Sequence, residues 1–417
     1  YEIPKRDWSS DVCSSDLDTS TASVSAPTPI FSDTFTADAG WGLTQCTISG
    51  GTLNINSGTS SRATWYNIGG SSGTKYNVTF TITSNPGSYS LTIDDDGAGA
   101  GVGGVTQYVA TVGTATGTYS FLITRTASPR IRLIINSTTT QTLSVDNLYI
   151  YPLNEADRSV NSNGLTVFGT LTKSAVATGS NLVAYSGFSG SNYLQQPYNS
   201  SLAPTTNDFS IMGWMNDAGS GSQTFLYWGI DAETGGRILL SSTAGAFNFY
   251  AVSGSWANPA TGPFTIRNTG WSHICFTKRG TILDVYINGI KGTSGTGASD
   301  LTNTSAVLRV GYRTTTSGEP ATGSSIALLR VSASVPSPTQ ILKIYNDEKM
   351  LFQPNSQCTL YGSSDAVTAL AYDDTTKLLS VGTSSGRSDF QGLERINNTT
   401  TAVTTTISAS NGLIAEQ

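Results

Sequence analysis

The chain is poor in charge, histidine and cysteine, and it has no long apolar run. Charged residues make up 12% of its 417, with 22 Lys and Arg against 28 Asp and Glu, a net charge of −6. Basic residues form no block, which argues against nucleic acid as a partner. The one histidine, His273, excludes multi-histidine metal sites and most Ser/His/Asp arrangements. Four cysteines (Cys13, Cys46, Cys275 and Cys358) lie far apart without any C-x-x-C, so neither a disulfide framework nor a zinc site is expected. No apolar run approaches the roughly 20 residues of a membrane span, so no helical insertion into a bilayer is expected.

What is present is glycine, 44 residues of it, together with abundant Ser and Thr. Short apolar runs between Gly, Ser, Asn and Thr clusters indicate an all-β protein. The stretch Trp271 to Ser294, WSHICFTKRGTILDVYINGIKGTS, reads as a hairpin. Its strands run about Ser272–Lys278 and Thr281–Asn288, with Arg279-Gly280 at the turn. Leu283, Val285 and Ile287 alternate and share one buried face. Asn288-Gly289 supplies left-handed residues for a second tight turn. His273 falls inside the first of these strands, on one face with Trp271 and Cys275, and reads as structural. Further on, Ser337 can cap a short helix, Pro338 suits its first position and Gln340 completes a capping box. Ile341, Leu342 and Tyr345 are expected to pack on the sheet below.

The Trp-x-His strand, the hairpin, the earlier DFSIMGWM (Asp208–Met215) and the late SPTQILKIY together resemble the laminin-G/concanavalin-A-like jelly roll over about 164–354. Before it, 30–152 contains only strand patterns. FSDTF, Gly40-Trp41, GGTLNI and the closing SVDNLYIY resemble a carbohydrate-binding-module sandwich of the galactose-binding-like type. The fold expected is therefore two tandem antiparallel β-sandwiches. Residues 18–29 and the polar 153–163 read as linkers. Arg6–Leu17 resembles a translated sequencing adapter, and 1–17 is set aside as such; any secretion signal is then unreadable. In 355–417, strands at about Val367–Tyr372 and Leu378–Thr383 around Asp373-Asp374 resemble half a propeller blade. The Thr-rich tail after them reads as a trimeric fibre segment, which would make the chain a homotrimer, or as a loose tail.

Sugar-binding surfaces use exposed aromatics beside polar groups. The candidates are Trp41, Trp65 and Tyr66, with Tyr108, in the first sandwich, and Trp228, Trp256 and Tyr312 in the second. Trp256 leads, because the loop SGSWANPATG offers it no evident packing partner. The resemblance to carbohydrate-binding modules implies a structural calcium ion held by Asp33 and Asp146. Asp94, Asp95 and Asp96 form an acidic loop that reads either as a second ion site or, the favoured reading, as an ordinary polar turn. In the second domain Ala327 stands where the family carries an Asp, which speaks against calcium there. Concanavalin-A-like glucanases place carboxylates as E-x-D-x-x-E; here Gly229, Asp231 and Glu233 break that pattern, and the two acids are expected on a solvated turn. No enzyme is therefore expected. Segments such as 156–189 and 382–403 resemble phage structural or tail proteins. The implied function is glycan or cell-surface binding, or a structural role, in a virion or outside the cell. A bacterial adhesin and the accessory region of a truncated glycan-degrading enzyme are the alternatives.

Overall fold

The structure is a computed structural model that describes residues 12–13, 22–38, 40–56, 58–65, 71–84, 89–94, 106–112, 116–125, 131–137, 142–155, 163–314, 318–357, 360–362 and 366–403. Its regular structure is antiparallel strand, apart from one α-helix and one 3-10 turn among these residues. The all-β architecture expected from composition is what the chain adopts.

In the first sandwich one sheet runs in the order Gly117–Thr124, Lys75–Ser84, Leu143–Pro152, Thr52–Ile55, Cys46–Ser49, and Phe31–Asp33 also pairs with Leu143–Pro152. The other runs Thr106–Val112, Tyr89–Asp94, Ile131–Ser137, Gly58–Trp65, Gly42–Thr44. Alternate residues Val78, Phe80 and Ile82 point inward to meet Phe35, Phe121 and Ile150. The strands Gly58–Trp65 and Thr106–Val112 were not expected, since GTSSRATW carries almost no apolar periodicity.

The second sandwich pairs a sheet built on Thr170–Ala175, Val183–Ser186, Ser325–Ser332, Phe209–Asn216, Trp271–Arg279 and Ile282–Ile287 with one built on Thr166–Phe168, Tyr193–Gln196, Val307–Val310, Ser222–Gly229, Arg237–Thr243 and Ala246–Val252. The expected hairpin is present, with Asn288 at φ 51° and Gly289 at φ 81°. Leu283, Val285 and Ile287 enter the core and are fully buried. Each fully buried aliphatic of this kind contributes about 1.5–3 kcal/mol.

Three boundaries differ from expectation. Ala22–Ser25, in the segment read as a linker, pairs with Thr170–Lys173 and extends the second sandwich's first sheet. Val12–Cys13, in the segment set aside as adapter-like, bridges Arg330 and Val331 of the same sheet. Glu155, placed in the polar boundary, is buried; it accepts a hydrogen bond from the Tyr185 hydroxyl and faces Lys173 at 3.6 Å. A buried charge paired with residues far along the chain looks, in sequence, like part of a linker.

The two sandwiches meet through hydrogen bonds. Phe121 bridges Tyr198, Gln195 Nε2 donates to Ser120 Oγ at 2.9 Å, and Lys75 Nζ donates to Asn163 Oδ1 at 2.7 Å. C-terminal to them, a third sheet has four strands rather than the two expected: Val367–Asp373, Leu378–Thr383, Gly386–Gln391 and Glu394–Thr399. Glu394–Thr399 lies in the Thr-rich stretch read as a tail, and residues 404–417 lie outside the described set.

The helix Pro338–Glu348 starts as expected. Gln340 N donates to Ser337 Oγ at 3.3 Å, and Ser337 N donates to Gln340 Oε1 at 2.7 Å. Its buried residues are Ile341, Ile344 and Glu348, whereas Leu342 is exposed. The spacing of about 3.6 residues per turn puts Ile344, not Leu342, on the face that Ile341 buries. With the 3-10 turn Lys349–Phe352, the helix covers the outer face of the first sheet. The Trp214 ring stacks on Phe352 at 4.1 Å and its Nε1 donates to Glu348 Oε2 at 2.9 Å, while Glu348 Oε1 holds Arg330 at 2.7 Å.

His273 lies under this cover, 5.5 Å from Trp214, and neither ring nitrogen has a hydrogen-bond partner. Burial, and secondarily the Arg330 charge, lower its pKa to about 3. Between about pH 6.5 and pH 3 the unfolded chain therefore binds a proton that the folded chain does not. Stability is full above pH 6.5 and falls by about 1.4 kcal/mol per pH unit as the pH drops below it. Urea melts at pH 7 and pH 5 are expected to differ by about 2 kcal/mol from this group, and His273→Phe to remove that part of the slope; an unchanged slope in the variant refutes the assignment.

Candidate functional site

Each strand of the second sandwich's second sheet has one face in the core and one outside. Leu226 and Trp228 enter the core, so Tyr227 faces out; Leu308 and Val310 enter, so Arg309 faces out; Ile238 and Leu240 enter, so Arg237 faces out. Tyr227 and Arg309 are register partners, as are Arg309 and Gln195 on the next strand. A cation-rich, aromatic outer face results. The loops that follow these strands fold back over it.

The covering loops carry the counter-charges. Arg309 Nη1 meets Asp231 Oδ1 at 2.5 Å, and its Nε donates to Gln195 Oε1 at 3.0 Å. Arg313 holds Glu233 at 2.8 Å and Glu319 at 2.6 Å. Glu233 also accepts from Trp256 Nε1 at 3.1 Å and from Thr314 Oγ1 at 3.3 Å. The guanidinium carbons of Arg237 and Arg313 lie 4.4 and 5.0 Å from the centre of the Trp256 ring, and Tyr250 meets that ring edge-on at 5.6 Å. Arg237 is fixed in turn by the carbonyls of Gly235, at 2.9 Å, and Gly254. Contacts of this cation–π kind are worth about 0.5–2 kcal/mol each.

Two features mark this cluster as more than surface decoration. Both carboxylates that hold Arg313 sit on left-handed backbone, Glu233 at φ 52° and Glu319 at φ 57°. Such conformations cost non-glycine residues energy and persist where surroundings impose them. Burial lowers the affinity of the Arg313 guanidinium for its proton, but the bonds from Glu319 and Glu233 outweigh this and hold its pKa above the usual arginine value. Burial likewise pushes the Tyr227 hydroxyl far up, with Glu233 adding to it. The site is a set of neutralised ion pairs around a partly exposed indole. Asp231, Glu233 and Glu319 are each committed to a guanidinium, which suits hydrogen bonding to hydroxyls better than proton transfer.

The aromatic candidates separate clearly. Trp256 is partly buried and central to the cluster; contrary to expectation it has partners, which lie outside its own loop at Glu233 and Arg313. Tyr312 is near the cluster but buried against Tyr193 at 5.2 Å. Trp228 is a core residue. Trp41 is also core, only 5% exposed, with its Nε1 donating to Asp33 Oδ2 at 2.7 Å and its ring 5.5 Å from Phe35. An indole beside a glycine in a turn looks the same in sequence whether it faces solvent or the core. Tyr66, Asp95 and Asp96 lie outside the described residues, as do the side chains of Trp65 and Tyr108. Asp231 and Glu233 do not decorate a solvated turn; both are paired.

Asp33 and Asp146 lie close along paired strands, Asp33 standing opposite Leu148. Asp33 Oδ1 accepts from Phe35 N at 2.7 Å, and Asp146 accepts from Asn147 N at 2.7 Å. No group of three or more His, Cys, Asp or Glu comes together among the described residues. The two carboxylates by themselves thus do not make a calcium cage, which would need carbonyl or water oxygens to complete it. The arginines were missed by sequence reading. Their signal was Arg309 between Leu308 and Val310, an outward cation in an otherwise buried strand.

Residues 188–342 match the family model described as the concanavalin A-like lectin/glucanases superfamily, a Laminin_G_3 domain. The second sandwich is thus the concanavalin A-like domain that its hairpin and helix resemble. No curated protein matches the chain. Among solved structures it is similar to the receptor binding domain of botulinum neurotoxin C/D mosaic serotype, at 13% identity and a TM-score of 0.38, covering 55% of this chain and 59% of that one. It is also similar to Domain 4 of AbnA, a GH43 extracellular arabinanase from Geobacillus stearothermophilus, in complex with arabinotriose, at 21% identity and a TM-score of 0.37, covering 46% of this chain and 92% of that one. The binding domain of botulinum neurotoxin DC in complex with SialylT matches at 12% identity and a TM-score of 0.35, with 58% and 60% covered. The chain thus spans less than two thirds of the toxin domains, and likenesses this distant carry no argument about function. No helix among the described residues is long and apolar enough to cross a membrane.

Removing one partner of a largely buried ion pair strands the other. Arg309→Met is expected to cost about 3 kcal/mol in urea unfolding, because Asp231 and Gln195 lose their donor; a loss below about 1 kcal/mol, the range of surface pairs, contradicts the buried-pair reading.

Proposed function

We propose that the chain is a non-enzymatic protein that binds glycans of a cell surface, as part of a phage virion or tail fibre. The observation that carries this reading is the Trp256 ring, partly exposed and framed by Arg237, Arg313 and Glu233. An indole face offers apolar contact to the C–H side of a sugar ring, and the fixed guanidinium and carboxylate groups around it offer donors and acceptors to hydroxyls. The concanavalin A-like match over 188–342 supports a binding role. Absence of catalysis is supported by the pairing of Asp231, Glu233 and Glu319 with arginine, since a glycosidase needs one carboxyl kept protonated and another free to attack or to activate water.

The virion setting rests on the sequence resemblance of 156–189 and 382–403 to phage structural proteins. A structural spacer is the second reading, favoured by the hydrogen-bonded seam between the sandwiches. Glycan-array binding by the full chain separates them. Binding to a defined glycan that weakens about tenfold or more on Trp256→Ala, ~1.4 kcal/mol, supports the glycan reading. A folded protein that binds nothing on the array favours the spacer.

A structural calcium ion at Asp33 and Asp146 belongs to the same proposal. It is supported by the position of the two acids on paired strands of the first sandwich. A melting temperature raised by added calcium, and no longer raised in Asp146→Asn, supports the ion; melting indifferent to calcium and to EDTA removes it.

A further inference from the structure

On the opposite face of the strands that carry Tyr227, Arg237 and Arg309, the second sandwich contains a cavity of about 130 Å³. Leu226, Trp228, Ile238 and Leu308 wall it from one sheet, Phe209 and Ile211 from the other. Folded interiors rarely leave voids larger than a water molecule. Every one of these six side chains is at most 4% exposed, so they form an apolar floor, while Ser200, Ser201, Asn207 and Asp208 line the side on which the hollow opens to solvent.

The way in is also distinctive. Ser200, Asn207 and Asp208 stand at the cavity's rim, on the loop that precedes Phe209–Asn216. Within that loop Thr205 has φ 40°, a left-handed conformation that is a strong outlier for a β-branched residue. Its carbonyl accepts from Leu301 N at 2.9 Å, which fixes the strained residue to a second loop. Beneath the same loop Lys278 is fully buried, its ammonium donating to the Asn207 carbonyl at 3.4 Å. The loop at the open side of the hollow is thus pinned at a strained turn and over a buried cation.

We propose that this cavity is a binding site for a small uncharged apolar group, an aryl ring or short alkyl chain, entering beneath the 200–208 loop with Trp228 as its aromatic wall. Apolar-walled hollows of this volume are large enough for guests the size of benzene. The proposal goes beyond the glycan reading and does not depend on it, because the site lies on the other face of the sheet.

Benzene is the probe, used with the full chain. Near-saturating benzene is expected to raise the melting temperature by about 2–4 °C and to alter Trp228 emission, read as the difference between wild type and Trp228→Phe. Leu308→Phe, which fills the hollow, is expected to abolish the shift; if that variant does not fold, Val331→Leu, at the cavity wall, is expected to reduce it. An unchanged melting temperature in wild type overturns the proposal. So does a shift that persists undiminished in the filling variants, which would place the benzene elsewhere.

Discussion

A β-sheet has two faces, and in a sandwich only one of each sheet's faces is covered by the other sheet. The second sandwich covers both of its outer faces as well, and much of its structure follows from how. One outer face carries Trp214, His273, Cys275 and Arg330; the helix and the 3-10 turn lie over it, bringing Ile341, Ile344 and Glu348 down onto it. The other carries Tyr227, Arg237 and Arg309; loops from three strand ends lie over it, one bringing Asp231 and Glu233, one Glu319 and one Trp256. Cover by helix leaves a closed apolar layer with one buried glutamate. Cover by loops leaves a lattice of ion pairs with an indole at its margin. The candidate site is thus the loop-covered counterpart of the helix-covered face.

The energetics of the two covers differ in kind. Under the helix, stability comes from burying aromatic area, and the uncharged His273 is tolerated because its charged form is suppressed. Under the loops, stability depends on complete pairing. A buried guanidinium contributes little net stability when paired and is costly when bereft. That makes the loop cover intolerant of substitution and geometrically fixed, which is the property a recognition surface requires.

Legibility in the sequence followed the range of the interaction. The hairpin at Trp271–Arg279 and Ile282–Ile287, the Asn288-Gly289 turn and the Ser337 capping box are local patterns, and all three are where the sequence puts them. Strand patterns with alternating apolar residues were legible too, whereas polar strands such as Gly58–Trp65 were not. The site was legible only through Trp256. Its partners Glu233 and Arg313 are joined to each other across 80 residues, and Asp231 to Arg309 across 78. No periodicity announces a contact of that separation. Trp41 and Trp228 show the opposite: both are candidates for an exposed aromatic surface in the sequence, and tertiary packing puts both inside.

The strand Ala22–Ser25 has a consequence for how separable the parts are. It belongs to the second sandwich's sheet, yet the whole first sandwich follows it before the chain returns at Asn163. In topology the first sandwich is therefore an insertion into the second, tied by two crossings of the chain instead of one. Such a unit is not a bead on a string. A fragment beginning after the first sandwich would lack its own edge strand and would expose the unpaired backbone of Thr170–Ala175, a surface prone to capture a strand from another molecule.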